Sequence, residues 1–274
     1  MKVIILGNGY MANEIKQYIP EARIISSSAY NYHCPKVLQN LLYVGQYTHV
    51  INCSGFTGRP NVDEAEHKVD ECMYLNVVSP KMVADVCDEV GVTLIHLSSG
   101  CIYSGYGRVY TEEDKPDFGI YDQSSTYSKS KHMFELVTRR NKLFILRLRM
   151  PFSKVGDERS YLTKIHKYDN LIDYKNSKSS TEDVSLFIKT LIDKEMIPNG
   201  QDIYNVVNGD PLYTSSVVDI MQECGYNNPN WKFVPLSDLD IVAPRSNCQL
   251  NNIKALTVYP LRSEKDALLD LLSK

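Results

Sequence analysis

Tyr127 and Lys131, in Y-S-K-S-K, stand four residues apart, a spacing that sets both on one face of a helix. An ammonium close to a phenol favours the ionised phenol, and such a tyrosine can pass a proton to or from a substrate oxygen. Alone, Y-x-x-x-K describes many exposed i,i+4 pairs. Upstream, Ser98-Ser99-Gly100-Cys101 follows the apolar run V-T-L-I-H-L (92–97), so a hydroxyl and a thiol fall two residues apart at the end of an expected strand. A lone cysteine is most often a small buried apolar residue. To act as a base it needs thiolate character, and a free thiol near ~8.5 is only a few per cent ionised at pH 7 unless positive charge stands beside it.

The third motif is G-N-G-Y-M-A, from Gly7 through Asn8, Gly9, Tyr10 and Met11 to Ala12. It has the form G-x-G-x-x-A between a first strand and a helix. Gly7 permits the tight turn, Gly9 lets a pyrophosphate approach the backbone, and Ala12 lets helix and strand pack closely. The helix N-terminus offers free N–H groups and positive dipole to phosphates, so the loop predicts dinucleotide binding. An Asp or Glu ending the second strand would hold the ribose 2′-hydroxyl of NAD. Ser26-Ser27-Ser28 stands there instead. These hydroxyls can donate to a 2′-phosphate with no carboxylate to repel it, which makes NADP(H) the preferred cofactor, with NAD(H) also compatible.

Positioning these groups requires alternating strands and helices. The apolar runs 2–6, 22–26, 48–53, 92–97 and 143–148 read as strands. Met11, Ile15, Tyr18 and Ile19 fall at helical spacing, as do Met82, Val83, Val86 and Val90 behind Pro80. Nearly continuous apolar strands between helices imply a parallel sheet covered on both faces. Farther on, Ser180 to Asp183 can cap a helix with an apolar face of Val184, Phe187, Ile188 and Leu191. Residues 202–207 read as a strand, 215–225 and 263–272 as helices, and 208–211 and 226–235 as loops.

The bulk numbers narrow the class. A chain of 274 residues suffices for one large α/β domain or two interlocked lobes. Net charge is −3 and no long basic run occurs, so neither nucleic acid nor an anionic membrane is an expected partner. The N-terminus reads as a strand rather than a signal peptide, and no apolar run approaches membrane-spanning length. Seven scattered cysteines, odd in number and without C-x-x-C spacing, suit reduced thiols and a cytoplasmic location. No H-E-x-x-H pattern occurs, and no metal is expected.

The order of these motifs, glycine loop, N-C-S-G (52–55), L-N-V-V-S-P (75–80), serine pair, Y-x-x-x-K and L-R-L-R-M-P (146–151), resembles the extended short-chain dehydrogenase/reductases. T-G-R-P-N-V-D (57–63), Y-L-T-K-I (161–165) and A-P-R-S-N-C-Q-L (243–250) resemble more narrowly the bifunctional 3,5-epimerase/4-reductases that form UDP-L-rhamnose, relatives of the dTDP-4-dehydrorhamnose reductases. The resemblance implies a Rossmann-type, doubly wound parallel α/β sheet with a smaller, interleaved C-terminal substrate-binding lobe. The cofactor domain would span 1–150 plus about 180–208, and the lobe about 151–179 plus 209–274.

It further implies that Ser99 binds a carbonyl oxygen, Tyr127 donates a proton, Lys131 holds the nicotinamide ribose, and Cys101 and Lys164 epimerise the carbons beside a 4-keto group. Lys131, Lys164 and the nicotinamide ring are then the candidates for the charge that a Cys101 thiolate needs. Gly7, Asn8, Gly9, Tyr10, Met11, Ser26, Ser27, Cys53, Ser54, Gly55, Asn76 and Met150 would join Tyr127 and Lys131 around the cofactor. Thr57, Arg59, Arg245 and Asn247 would join Ser99 around a nucleotide-sugar substrate, Arg245 gripping its diphosphate. Homodimers are common in the family. A reductase without epimerase activity and a non-catalytic NADP-binding subunit are the alternatives, and the intact Tyr127, Lys131 and Cys101 argue against the second.

Overall fold

The computed structural model describes residues 1–121 and 123–273. The chain alternates β1 (Val3–Leu6), α1 (Tyr10–Tyr18), β2 (Arg23–Ile25), α2 (Pro35–Gly45) and β3 (His49–Asn52). The short helices α3 (Glu64–His67) and α4 (Val69–Met73) run through a π-helical turn, Tyr74–Val78, into α5 (Ser79–Val90) and then β4 (Thr93–Ser99). β5 (Gly105–Tyr110) leaves the main sheet, and α6 (Thr126–Val137) leads back into it through β6 (Leu143–Leu148). β7 (Pro151–Phe152), α7 (Tyr161–Lys167), β8 (Asn170–Leu171) and β9 (Ser179–Ser180) follow. α8 (Thr181–Asp193) and β10 (Gln201–Asn205) return to the sheet, and α9 (Thr214–Glu223), β11 (Lys232–Phe233), β12 (Cys248–Leu250), α10 (Ile253–Leu256) and α11 (Glu264–Leu272) complete the chain.

Six strands form one parallel sheet in the order β10-β6-β4-β3-β1-β2. The chain leaves β1 towards β2 and comes back to β3 on β1's other side, so the strand order reverses beside the glycine loop. In open α/β sheets ligands bind in the crevice that such a reversal opens at the carboxyl ends of the strands. Alternate residues of each strand feed the two faces. Val3, Ile5, Ile51 and Ile95 pack with α1 and α8 on one face. Ile4, Leu6, Val50 and Leu94 pack with α2, α5 and Phe134 of α6 on the other. Each strand expected from an apolar run lies within two residues of its expected ends.

The cap at Ser180 forms as expected: its hydroxyl accepts the Asp183 N–H at 3.4 Å. Val184, Phe187, Ile188 and Leu191 are buried against the sheet. The second lobe has its own core, including Phe152, Leu162, Ile165, Val217, Met221 and Leu268. Lys178 and Glu264, both almost fully buried, form an ion pair of 2.7 Å that ties the residue before β9 to α11. Two features differ from expectation. The loop expected over 226–235 contains β11, which pairs in parallel with β8. Ala255, Val258 and Leu261, placed in the lobe, pack instead into the core of the sheet. Among the described residues no helix is long and apolar enough to cross a membrane.

Candidate active site

The carboxyl ends of β3, β4 and β6 open on a cavity of about 830 Å³ between the sheet and the second lobe, a size suited to a small-molecule ligand. Ser99 ends β4 and Cys101 follows in the turn, its backbone N–H donating to Ser99 Oγ at 3.1 Å. Tyr127 and Lys131 come from the first turns of α6. That helix start is fixed by the cap Ser125, whose hydroxyl accepts the Ser128 N–H at 3.1 Å. Glu66 adds a carboxylate that accepts from Thr126 N and Oγ1 at 2.8 and 2.7 Å, a favourable charge at a helix N-terminus. Ser99, Cys101, Tyr127, Lys131 and Lys164 all line the cavity.

Burial shifts Tyr127, Lys131 and Lys164. Desolvation pushes the Tyr127 phenol up, Cys101 adds to the rise, and a hydrogen bond with Ser99 opposes it. The phenol therefore holds its proton at neutral pH, as a proton donor must. Lys131 Nζ lies 5.8 Å from the centre of the Tyr127 ring and donates to Leu97 O at 3.5 Å. Its burial lowers it from 10.5 to about 8. Lys164 is drawn down as well, first by burial and then by the Arg159 charge, which raises the share of neutral amine able to take up a proton.

At the glycine loop, Gly7 takes φ +94°, and a Cβ there would stand 3.1 Å from Ser54 N. A Cβ on Gly9 would meet nothing within 4 Å, and no side chain caps α1. Space and unpartnered helix N–H groups together fit a dinucleotide pyrophosphate. Met11, Cys53, Ser54, Gly55 and Met150 line the adjoining wall. Ser26 Oγ lies 2.8 Å from Ser28 Oγ, and Ser27 is exposed beside it. Tyr10 is occupied elsewhere, its hydroxyl donating to Ser153 Oγ at 2.9 Å across the lobes. Asn76 is occupied too: it accepts from Phe56 N at 2.7 Å and donates to Phe56 O and Ser130 Oγ at 2.8 and 2.9 Å. It holds the loop after β3 against α6.

The substrate wall departs further from the expectation. Thr57 and Asn247 line the cavity, but Arg59 is exposed and does not. Arg245 lines it with its charge already matched. Nη1 and Nη2 meet the two oxygens of Asp63 at 2.6 and 3.0 Å, and that contact holds the Asp63 carboxyl below the usual range. The arginine on this wall that makes no ion pair among the described residues is Arg159. It donates to Thr57 Oγ1 and Gly58 O, both at 2.8 Å. Arg149 also escaped the sequence reasoning, although it lies in L-R-L-R-M-P. It is 1% exposed and donates to Cys101 Sγ at 3.3 Å. Just after it Met150 takes φ +38°, a conformation uncommon outside glycine that clusters at functional sites.

Comparison with known proteins agrees with this architecture. The family model described as the RmlD substrate binding domain matches residues 1–273. A bifunctional dTDP-4-dehydrorhamnose 3,5-epimerase/dTDP-4-dehydrorhamnose reductase of Arabidopsis thaliana is 36% identical over 237 residues, covering 81% of this chain and 75% of that protein. A trifunctional UDP-glucose 4,6-dehydratase/UDP-4-keto-6-deoxy-D-glucose 3,5-epimerase/UDP-4-keto-L-rhamnose-reductase of the same plant is 33% identical over 81% of this chain, which spans 34% of the longer protein. The crystal structure of the L780 UDP-rhamnose synthase of Acanthamoeba polyphaga mimivirus superposes with a TM-score of 0.87 at 20% identity, covering 100% of this chain and 99% of that one. The chain belongs to the RmlD family, the relatives of dTDP-4-dehydrorhamnose reductase.

Proposed function

We propose that this chain is an NADPH-dependent 3,5-epimerase and 4-reductase that converts UDP-4-keto-6-deoxyglucose to UDP-L-rhamnose. The observation that carries the proposal is the sharing of one cavity by Ser99, Cys101, Tyr127, Lys131 and Lys164. The 4-keto group acidifies the C–H bonds at C3 and C5. Of Cys101 and Lys164, one removes a proton from carbon and the other returns a proton to the opposite face. The electron pair of the broken C–H bond moves onto the C4 oxygen, where the Ser99 and Tyr127 hydroxyls stabilise the enolate. Collapse of the enolate and protonation at carbon restore the ketone with inverted configuration. A nicotinamide held beside Tyr127 and Lys131 would supply the hydride for reduction at C4. Tyr127 gives its proton to the C4 oxygen, and Lys131 orients the ribose and stabilises the phenolate that remains. Gly7, Asn8, Gly9 and Met11 would hold the pyrophosphate, and Ser26 and Ser27 the adenosine ribose with its 2′-phosphate. Arg159, which makes no ion pair among the described residues, would face the sugar diphosphate. The UDP reading follows the UDP-sugar activities of the trifunctional plant relative and of the L780 UDP-rhamnose synthase.

The test is incubation with UDP-4-keto-6-deoxyglucose, and separately its dTDP counterpart, in D2O without NADPH. Deuterium should enter C3 and C5. In the Cys101→Ala protein this exchange should fall by about 10² to 10⁴, the usual contribution of a general base, while a pre-epimerised ketone is still reduced. Wild-type protein that reduces a 4-keto sugar without solvent exchange would leave a reductase only.

A further inference from the structure

The cavity leaves one charge unexplained. Arg149 is a guanidinium with 1% exposure, and among the described residues no carboxylate lies within ion-pair distance of it. A buried charge is costly unless paired. Its neighbours are neutral acceptors: Nη1 donates to Ser246 Oγ at 2.7 Å, and Nη2 to Asn176 Oδ1 at 2.8 Å and Ser246 O at 3.1 Å. Among the described residues Nε, also buried, has no hydrogen-bond partner. The remaining contact is Nη1 to Cys101 Sγ at 3.3 Å. Room for this approach comes from Gly100, where a Cβ would stand 3.0 Å from Arg149 Cδ and would strike Leu250 Cδ1.

We infer that Arg149 is the counter-ion of a Cys101 thiolate, held by Ser246 and Asn176 so that the sulfur is anionic and aimed before substrate arrives. This rests on the epimerase reading of the same site and names the residue that makes its base usable. The other ionisable groups around Arg149 do not serve, and Tyr127 on α6 is pushed up by burial. Tyr106 on β5 is pushed up to about 12 by burial. The Cys248 thiol on β12 is also pushed up by burial. Lys178 is a cation already paired with Glu264. Arg149 does not line the cavity, so it acts through Cys101 as a positioning residue. The step it supports is proton transfer alone: the thiolate takes a proton from carbon to become a thiol, and the C–H electron pair moves onto the ketone oxygen.

The experiment alkylates the full-length protein with iodoacetamide across a pH series and quantifies the Cys101 peptide by mass spectrometry. Each rate is divided by the same protein's plateau at high pH. In wild type most of the plateau rate should already be present at about pH 7, whereas an ordinary thiol near ~8.5 shows a few per cent of it. In Arg149→Met the fraction at about pH 7 should fall about tenfold, and deuterium exchange at C3 and C5 should fall with it and recover as pH rises. Arg149→Lys, which keeps the charge without the fork, should restore part of both. A wild-type Cys101 that titrates like an ordinary thiol overturns the proposal without any variant, as does an unchanged profile in folded Arg149→Met. Alkylation that depends on Arg149 in a protein that exchanges no deuterium would uphold the pairing and overturn the epimerase reading.

Discussion

Arg147 and Arg149 stand two residues apart at the end of β6 and are equally hidden, at 3% and 1% exposed. Arg147 is met by Glu135 of α6, Nε to Oε1 at 3.1 Å and Nη2 to Oε2 at 2.6 Å. Tyr103 accepts from its Nη1 at 2.8 Å, and Ser98 donates to the same carboxylate at 3.1 Å. Every strong electrostatic demand of that guanidinium is answered inside the fold. Among the described residues Arg149 meets neutral oxygens and the Cys101 sulfur, with no carboxylate. A satisfied buried cation braces the sheet against α6, and an unsatisfied one marks where an anion belongs. Identical chemistry on one short stretch of chain therefore serves architecture at one position and reactivity at the next.

Glu135→Ala tests the first half of this contrast and carries the largest expected effect. It leaves Arg147 buried and unpaired, which should cost about 3–5 kcal/mol of unfolding free energy, read from urea melts at neutral pH. Arg149→Met should lose less, because it removes the buried charge together with its hydrogen bonds. A loss below ~1 kcal/mol in Glu135→Ala would show that this interior tolerates a lone guanidinium, and the case for a missing anion beside Arg149 would collapse.

How much of this was legible in sequence follows from the same pair. The glycine loop, the Ser99/Cys101 turn and the Tyr127/Lys131 helix are local patterns whose meaning lies in spacing. The six sheet strands are apolar runs, and both kinds of signal were readable. L-R-L-R-M-P was visible too, but nothing in it says that Arg147 finds Glu135 while Arg149 ends among Asn176, Ser246 and Cys101. The pairing of Arg245 with Asp63 spans 182 residues, so a free cation was expected where a neutralised one stands. Arg159 escaped because a single arginine in a polar loop carries no periodicity. The two-residue strands β7, β8, β9 and β11 are too short to show alternation. They exist because segments distant in the chain pair, β7 with β9 and β8 with β11, a long-range outcome.

Lys131 is a third buried cation and places the contrast on a pH scale. Its amine titrates at about 8 in the folded protein, against 10.5 for an unperturbed lysine, chiefly through burial. Below about pH 8 both states carry the proton, and the full cost of burying the ammonium is present. Between there and 10.5 the unfolded chain binds more protons than the folded one, so stability rises with pH. Relative to Lys131→Met, wild type should gain up to about 3 kcal/mol across that window, at 1.36 kcal/mol per unit, measured by urea unfolding at both ends. A flat difference would mean that Lys131 is compensated as fully as Arg147.

Gly100→Ala is the finest probe, because it disturbs Arg149 and leaves the Arg147–Glu135 pair in place. The added methyl meets Leu250 Cδ1 and the Cδ and Cγ of Arg149, the last two at 3.0 and 3.1 Å. Leu250 can turn to another rotamer, but the Arg149 stem is pinned at its far end by Ser246 and Asn176. Overpacking of this kind costs about 1–3 kcal/mol, so the protein should remain folded with a lower urea midpoint. If the guanidinium matters through its contact with Cys101, deuterium exchange at C3 and C5 should drop further than reduction of a pre-epimerised ketone. The Cys101 alkylation profile should also move towards that of an ordinary thiol. Equal losses in the two reactions would mean that the methyl merely loosens the turn carrying Ser99 and Cys101, and that Arg149, like Arg147, is there to hold the fold.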